Sequence, residues 1–310
     1  GAGEHHGKPP KGEETPLTLN RSRAAFAKGR VLRIWPTYAV GLGVTVALVV
    51  ASARYFDTPQ PFSWTTVALQ LLMIRDLFWV PSVDGIVWTL EIEAKFYLTC
   101  LLVAPTLRGG HSARLLVMGL SFAALAGVCS LSPQWLSSDA PTYRVLYALC
   151  LSAQMITFML IGVVFNFHYR GLVSARRGFV LSSAFFAAVL LQWSLGPIRS
   201  SLIAGGVSYG LALVVFTSAY LAREHLSRPS RVLSFLARIS YPLYVVHGVG
   251  GYVVMRVAID LGLSPITATL LAIGYAIPTA ILLHKLVEEP TRRWAREGRR
   301  RMPSAPPQSE

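Results

Sequence analysis

Eight apolar runs alternate with short polar stretches along the chain, at roughly 34–53, 86–105, 115–132, 145–167, 178–195, 201–221, 239–257 and 266–286. An α-helix needs about 20 apolar residues to cross the hydrocarbon core, so the pattern predicts eight transmembrane helices. A ninth run, Phe62–Ile74, is shorter and ends on Arg75 and Asp76. It predicts a helix that lies in the interface or re-enters the membrane. At that depth backbone polar groups must be satisfied within the chain. The fold class expected is therefore all-α: a polytopic helical membrane protein with eight transmembrane helices plus one interfacial or re-entrant helix.

Composition agrees with the pattern. Of the 310 residues 53% are hydrophobic and 14% charged, where a soluble domain carries about 25% charged residues. The formal net charge of +14 does not indicate a nucleic-acid partner, because the basic residues flank the spans. If the ninth run does not cross and the N-terminus is cytoplasmic, 23 Lys/Arg residues fall on the inside and five on the outside. Letting that run cross would flip every later loop and put most of them outside. The positive-inside rule thus selects eight crossings with both termini cytoplasmic. Cys100, Cys129 and Cys150 all lie in apolar runs. Their number and spacing fit neither a disulfide framework nor a zinc site, so they read as small packing residues.

Residues 1–29, rich in Gly, Pro and charge, read as a disordered cytoplasmic segment. His5 and His6 there are two adjacent imidazoles without further ligands, and no metal site is expected. Residues 291–310 read as a basic cytoplasmic tail whose arginines are attracted to anionic headgroups.

The stretch WTLEIEAKFYL places Glu91, Glu93 and Lys95 inside an apolar run. Glu91 and Lys95 are four apart in the favourable order, which predicts a self-neutralising pair on one face. Glu93 points roughly 200° away from both, about 10 Å into the membrane counted from Ile86. A carboxylate at that depth faces a bundle interior or a wet path; the alternative is a Glu–Arg pair that only fixes helix packing. Tyr97 lies below Glu93 on the same side. In ISYPLYVVHG, Ser240, Tyr244 and His247 share a helical face. His247 is nine residues from Arg238 and from Arg256, near mid-membrane, where a proton-handling or substrate role competes with simple packing. Pro242 frees a carbonyl in that helix. Arg30 and Arg33 are three apart at the mouth of the first span. Such a pair suits phosphate oxygens, though taken alone it reads as a positive-inside anchor.

Together these stretches resemble the acyltransferase-3 family of integral-membrane acyltransferases. The sequence RVLRIWPTY carries an Arg-x-x-Arg ahead of x-Pro-x-Tyr, with Arg30 and Arg33. Trp88, Thr89, Leu90, Glu93, Phe96 and Tyr97 match a Trp-Ser/Thr-Leu-x-x-Glu-x-x-Phe-Tyr signature. Ser240, Tyr241, Pro242, Tyr244 and His247 match a late Ser-Tyr-Pro-x-Tyr-x-x-His, and Glu288 with Pro290 match a terminal Glu-x-Pro. The four motifs occur in the family's order.

The resemblance implies an enzyme that moves an acyl group, commonly acetyl, from acyl-CoA to a hydroxyl of a carbohydrate or similar acceptor. Acyl-CoA would be a donor co-substrate, with no permanently bound cofactor. Residues 30–290 would form the membrane acyltransferase domain, multi-pass in a bacterial cytoplasmic membrane, with the lipid bilayer as its solvent and no nucleic acid as partner. Glu93 and His247 would be catalytic, Arg30 and Arg33 would bind the CoA phosphates, and Trp88, Tyr97 and Tyr244 would line the acceptor site. The family's first span, with an arginine and a histidine regarded as catalytic, has no counterpart here, nor has its second. The chain begins with Gly1, and the expectation is an N-terminally truncated sequence. Two other readings stay open: a transporter or flippase with Glu93 and His247 as a proton relay, and an inactive acyltransferase remnant.

Overall fold

A computed structural model describes residues 16–131, 140–195, 205–225 and 230–300. Among these residues every regular element is helical. The helices are α1 (Pro16–Tyr55), α2 (Trp64–Leu71), α3 (Val87–Leu102), α4 (Ala104–Gly109), α5 (Ser112–Leu131), α6 (Pro141–Tyr169), α7 (Ala175–Leu195), α8 (Gly205–Leu221), α9 (Arg231–Asp260), α10 (Pro265–Leu283) and α11 (Glu289–Arg300). A single π-turn, His284–Glu288, joins the last two.

Among the described residues six helical stretches are long and apolar enough to cross a membrane, and they overlap six of the eight expected spans: Arg23–Tyr55, Ser112–Cys129, Pro141–Tyr169, Ala175–Ser194, Arg231–Asp260 and Pro265–Ala295. The other two expected spans are α8 and α3, and α8 has 17 residues among those described. α3 has 16, ending at Leu102 with Val103 as its C-cap, shortly before Pro105, whose missing N–H and ring disfavour continuing the helix. The ninth run forms the eight-residue α2, capped by the Ser63 hydroxyl and only about 12 Å long. That length cannot cross, in line with the interfacial or re-entrant reading. α1 begins at Pro16 and α11 runs to Arg300, so helix extends past the sequence-drawn boundaries at 29 and 291. Residues 1–15, including His5 and His6, lie outside the described residues.

The helices sort into two packing groups. In the first, α1, α9 and α10 close around Tyr38, Leu42, Val246, Ala280 and Leu283. α1 and α9 approach so closely at Gly41 that a Cβ there would lie 2.2 Å from Val245 Cγ1. In the second, α5, α6 and α7 pack around Leu115, Leu160, Val164, Phe167 and Phe185. Gly119 of α5 plays the matching part, with a Cβ position 2.3 Å from Phe185 Cε1. Small residues at helix crossings replace the hydrophobic drive that lipid removes. Outward-facing apolar side chains such as Leu102, Phe179, Val214 and Ile266 remain exposed, as befits a surface solvated by lipid.

α3 bridges the groups, packing on α1 and on α6. Its first turn sits beside Tyr38, about halfway along α1: the Tyr244 hydroxyl reaches Ile86 O at 3.3 Å, and Tyr38 shares a core cluster with Val87 and Leu90. Its far end reaches Phe26 and Arg30, at the basic end of α1. α3 therefore occupies one half of the bundle's depth, and residues 56–86, with α2, connect it to the far end of α1.

Candidate functional site

The start of α3 is fixed by buried polar groups. Asp84 Oδ1 accepts the backbone N–H groups of Ile86 and Val87 at 3.1 Å and the Ser82 hydroxyl at 3.0 Å. Gln70 Oε1 accepts the Val83 N–H at 2.8 Å, tying α2 to the same loop. Asp84, Gln70 and Tyr38 are all buried and form a polar knot beneath the first turn. A lone acidic residue four positions before Trp88 was the one sequence signal for it.

From that start, the three charges of α3 diverge, and the expected Glu91–Lys95 pair does not form. Glu91, 1% exposed, takes both oxygens to Arg75: Nη2 at 2.9 Å and Nε at 3.2 Å, with the Asp76 N–H adding a bond at 3.3 Å. Arg75 also donates to Val80 O at 2.7 Å. Lys95 pairs with the Asp76 carboxylate and donates to Ser152 Oγ of α6 at 3.0 Å. The 3-10 turn Arg75–Phe78 thus folds back onto α3. A bidentate guanidinium and a backbone donor satisfy a carboxylate better than a single flexible ammonium on the same helix. Arg75 and Asp76, noted only as the polar end of the ninth run, are the partners.

Glu93 lies on the opposite face, as the helical period required. Its carboxylate accepts the hydroxyl of Tyr97, one turn on. The Arg30 guanidinium stands 4.8 Å from the Tyr97 ring centroid and 5.1 Å from that of Phe26, a cation packed on two rings that themselves meet edge to face at 6.0 Å. Arg33 is exposed, three residues on along α1. Tyr241 of α9 donates its hydroxyl to Ile34 O at 2.7 Å and packs with Tyr97 against the same core cluster, while the turn that carries Glu288 packs on α1. The structure therefore gathers Arg30, Arg33, Glu93 and Tyr97 at the junction of α1, α3 and α9, and adds Tyr241 and Glu288. Both additions lie inside the matched motifs, but no charge or spacing argument from the sequence singled them out. Glu288, 3% exposed, sits in the π-turn and holds His284 Nδ1 at 2.7 Å and Arg292 Nη1 at 3.5 Å. π-turns of this kind concentrate at functional sites.

The remaining sequence-identified residues sit apart from that cluster. Tyr244 meets α3 at its first turn, through Ile86 O and the Thr89 hydroxyl. Trp88 is 43% exposed. His247 is exposed rather than enclosed, and no hydrogen bond joins it to Glu93 among the described residues; its ring centroid lies 6.0 Å from that of Tyr244. Its Nδ1 sits 3.0 Å from the carbonyl oxygens of both Leu243 and Tyr244. Two acceptors at that nitrogen assign the proton to Nδ1 and leave Nε2 as the basic lone pair. Cys129 and Cys150 are buried, unbridged packing residues between α5 and α6.

A cavity of about 790 Å³ opens beside this junction. Arg30 and Tyr97 form part of its wall, together with residues of α4, α6 and α8. A cluster of aromatic and cationic groups at the mouth of an apolar cavity can bind an anionic head and an apolar tail at once.

No curated protein and no solved structure matches the chain. A family model described as an acyltransferase domain matches residues 15–285, which takes in Arg30, Arg33, Glu93, Tyr97, Tyr241 and His247. That match covers most of the sequence and contains the α1–α3–α9 junction apart from Glu288: the chain belongs to the acyltransferase-3 family and is a membrane acyltransferase acting on groups other than amino-acyl groups.

Proposed function

We propose that this acyltransferase takes an acyl group, acetyl in the first instance, from acyl-CoA and places it on a hydroxyl of a carbohydrate or similar acceptor. The membrane is a bacterial cytoplasmic membrane, with both termini inside. The observation that carries the reading is the Arg30–Tyr97–Glu93 stack: a guanidinium, a phenol and a carboxylate in sequence at the edge of a cavity. Arg30 and Arg33 bind CoA phosphates through charge-assisted hydrogen bonds. Both lie at the end of α1 that the 23-to-5 split of basic residues assigns to the cytoplasm, where CoA is.

In the transfer, the acceptor oxygen attacks the thioester carbonyl, a base takes its proton, and the CoA thiolate leaves with the electron pair of the broken C–S bond. His247 Nε2 is the proton acceptor, since its Nδ1 is engaged by its own helix. Glu93, held by Tyr97, orients the acceptor or the base. Trp88 and Tyr244, at the first turn of α3, line the acceptor's path.

The test is acetyl transfer and acetyl-CoA binding by the purified chain in nanodiscs. Replacing Arg30 and Arg33 with Ala removes two charged donors at about 1.5–3 kcal/mol each, so acetyl-CoA binding weakens by about a hundredfold or more. Replacing Arg176 and Arg177, equally basic and exposed at the start of α7, leaves it unchanged. Equal effects from the two pairs would overturn the assignment.

A further inference from the structure

Three arginines beyond the pair assigned to the donor meet at the basic end of the bundle. Arg108 lies in the last turn of α4 and Arg170 caps α6. Arg170 joins the two by donating to the carbonyls of Leu107 and Arg108 at 3.3 and 3.4 Å. Arg23 of α1 lines a cavity of about 180 Å³ together with Arg108. The Nε of Arg23 is buried, with no hydrogen-bond partner among the described residues. A basic residue that serves only as an anchor turns its head to water or headgroups. A guanidinium nitrogen held out of water calls instead for an acceptor. Phe26, Cys100, Leu107 and Arg108 are common to this cavity and the larger one of about 790 Å³, and no carboxylate among the described residues lines either.

The larger chamber has the depth of one leaflet. It runs along α6 from Arg170 to Phe158, twelve residues or about 18 Å of helix, and half of a hydrocarbon core is about 15 Å. Beyond the arginines and Asn166 its walls are apolar: Phe96 of α3, Phe158 of α6, Leu213 and Phe216 of α8. Gly162, Ala212 and Phe216 are exposed, so the chamber opens sideways to lipid, and a Cβ at Gly162 would meet nothing within 4 Å. A second cavity of about 480 Å³ lies between α6, α7 and α8, and neither Arg nor Lys lines it. An uncharged slot suits any lipid tail, whereas guanidinium forks at the mouth select a tail that carries a phosphate. A CoA donor does not account for the chamber. With its phosphates on these arginines, the pantetheine arm would run the length of the space and carry the thioester away from Glu93 and Tyr97.

We infer that the chamber is a site for an anionic diacyl phospholipid of the cytoplasmic leaflet, held by its phosphate between Arg23, Arg108 and Arg170 with one acyl chain along α6. The second chain stays in the bulk bilayer. The leaflet follows from the 23-to-5 split of basic residues, and the inference is independent of the acyl-CoA reading. Basic pockets between helices on the cytoplasmic side are suited to anionic headgroups. Arg30 is stacked on Phe26 and Tyr97 and remains with the donor. The bound chain fills the space between α3 and α8, so the lipid forms part of the wall beside Tyr97.

The experiment compares two lipid probes in phosphatidylcholine nanodiscs that carry the full chain. One is phosphatidylglycerol and the other phosphatidylcholine, each with a diazirine at the end of one acyl chain, and labelled residues are mapped by mass spectrometry. The phosphatidylglycerol probe should label Phe158, Gly162 or Phe216 about tenfold more than the phosphatidylcholine probe. Both should label the second cavity, at Phe179 or Ser183, equally. Arg23→Gln and Arg108→Gln should each cut the phosphatidylglycerol label in the chamber about fivefold. Arg170→Lys keeps the charge and should leave most of it, and Gly162→Phe, which fills the chain's path, should lower it with every arginine in place. Equal labelling of the chamber by the two probes would overturn the inference, marking an unselective lipid slot. That comparison is made on the unaltered chain, so it decides even where a variant fails to fold. Label that none of the glutamine variants reduces would also overturn it, leaving the arginines as anchors. So would loss of label on adding CoA or inorganic phosphate, which would give the arginines to a soluble ligand. A headgroup preference that persists in a chain unable to bind acetyl-CoA would uphold the lipid site and sink the donor reading alone.

Discussion

Glu91 and Glu93 are two residues apart on one helix and live in opposite surroundings. Glu91 is enclosed by Arg75 and a backbone N–H, and the neighbouring Asp76 is matched by Lys95, which Ser152 steadies from α6. Two cations and two anions close on themselves. Glu93 has a neutral phenol for its hydrogen-bond partner, and the nearest guanidinium in that stack sits on the phenol's ring. The difference teaches what a charge inside a membrane protein is for. A carboxylate matched by a guanidinium fork is committed to the fold; one matched by a phenol keeps its charge available to a second molecule.

The largest effect should come from breaking the closed face. Arg75→Leu leaves Glu91 buried without its counter-charge, a loss of about 3–5 kcal/mol, read as a lower thermal midpoint in detergent and a lower yield of folded protein. Adding Glu91→Leu should recover most of it, although the bond from Arg75 to Val80 O stays lost. A single variant as stable as the double would mean that the network contributes nothing.

Glu93→Gln is next, and its effect moves from stability to rate. The amide oxygen still accepts the Tyr97 hydroxyl, so the thermal midpoint should stay at the wild-type value. Transfer should fall about 10²- to 10⁴-fold, the range for losing a positioned acid–base group. A fall in midpoint like that of Arg75→Leu, with transfer intact, would reverse the roles of the two faces.

Much of this contrast was legible before the structure. The 3.6-residue period alone put Glu93 opposite Glu91 and above Tyr97, and both placements hold. The partner of Glu91 was not legible: the i, i+4 rule sees neighbours on one helix, whereas Arg75 arrives from a turn sixteen residues upstream. Helix lengths failed for a related reason. Hydropathy counts apolar residues, so 86–105 looked like a whole crossing. The chain stops α3 near Pro105 and starts it at mid-depth, where Asp84 and Gln70 hold the preceding loop. His247 was placed correctly in its helix but not in its surroundings, because a periodicity reports a face and not what packs against it.

Tyr97→Phe tests the link inside the open face. It keeps the ring under Arg30 and deletes one hydrogen bond to a charged group, about 1.5–3 kcal/mol. If that bond holds Glu93 in its working orientation, kcat should drop roughly ten- to a hundredfold while KM for acyl-CoA is unchanged. A variant as inactive as Glu93→Gln with KM unchanged would make the phenol itself a reacting group.

The smallest effect concerns Arg30, and it separates charge from shape. Arg30→Lys keeps the positive charge at the cavity mouth but removes the planar cation that stacks 4.8 Å from the Tyr97 centroid. An ammonium retains attraction to phosphate as a point charge and loses the fork and the stacking. Stacking of this kind contributes about 0.5–1 kcal/mol at a partly exposed site, a two- to fivefold rise in KM for acyl-CoA with kcat held. Arg223 supplies the control, because its guanidinium lies 4.7 Å from the Tyr220 centroid on α8, away from the α1–α3–α9 junction. Arg223→Lys alters the same kind of contact and should leave KM untouched. A rise in KM for both variants would mean that stacked arginines stabilise the helices generally, and Arg30 would lose its claim to the donor.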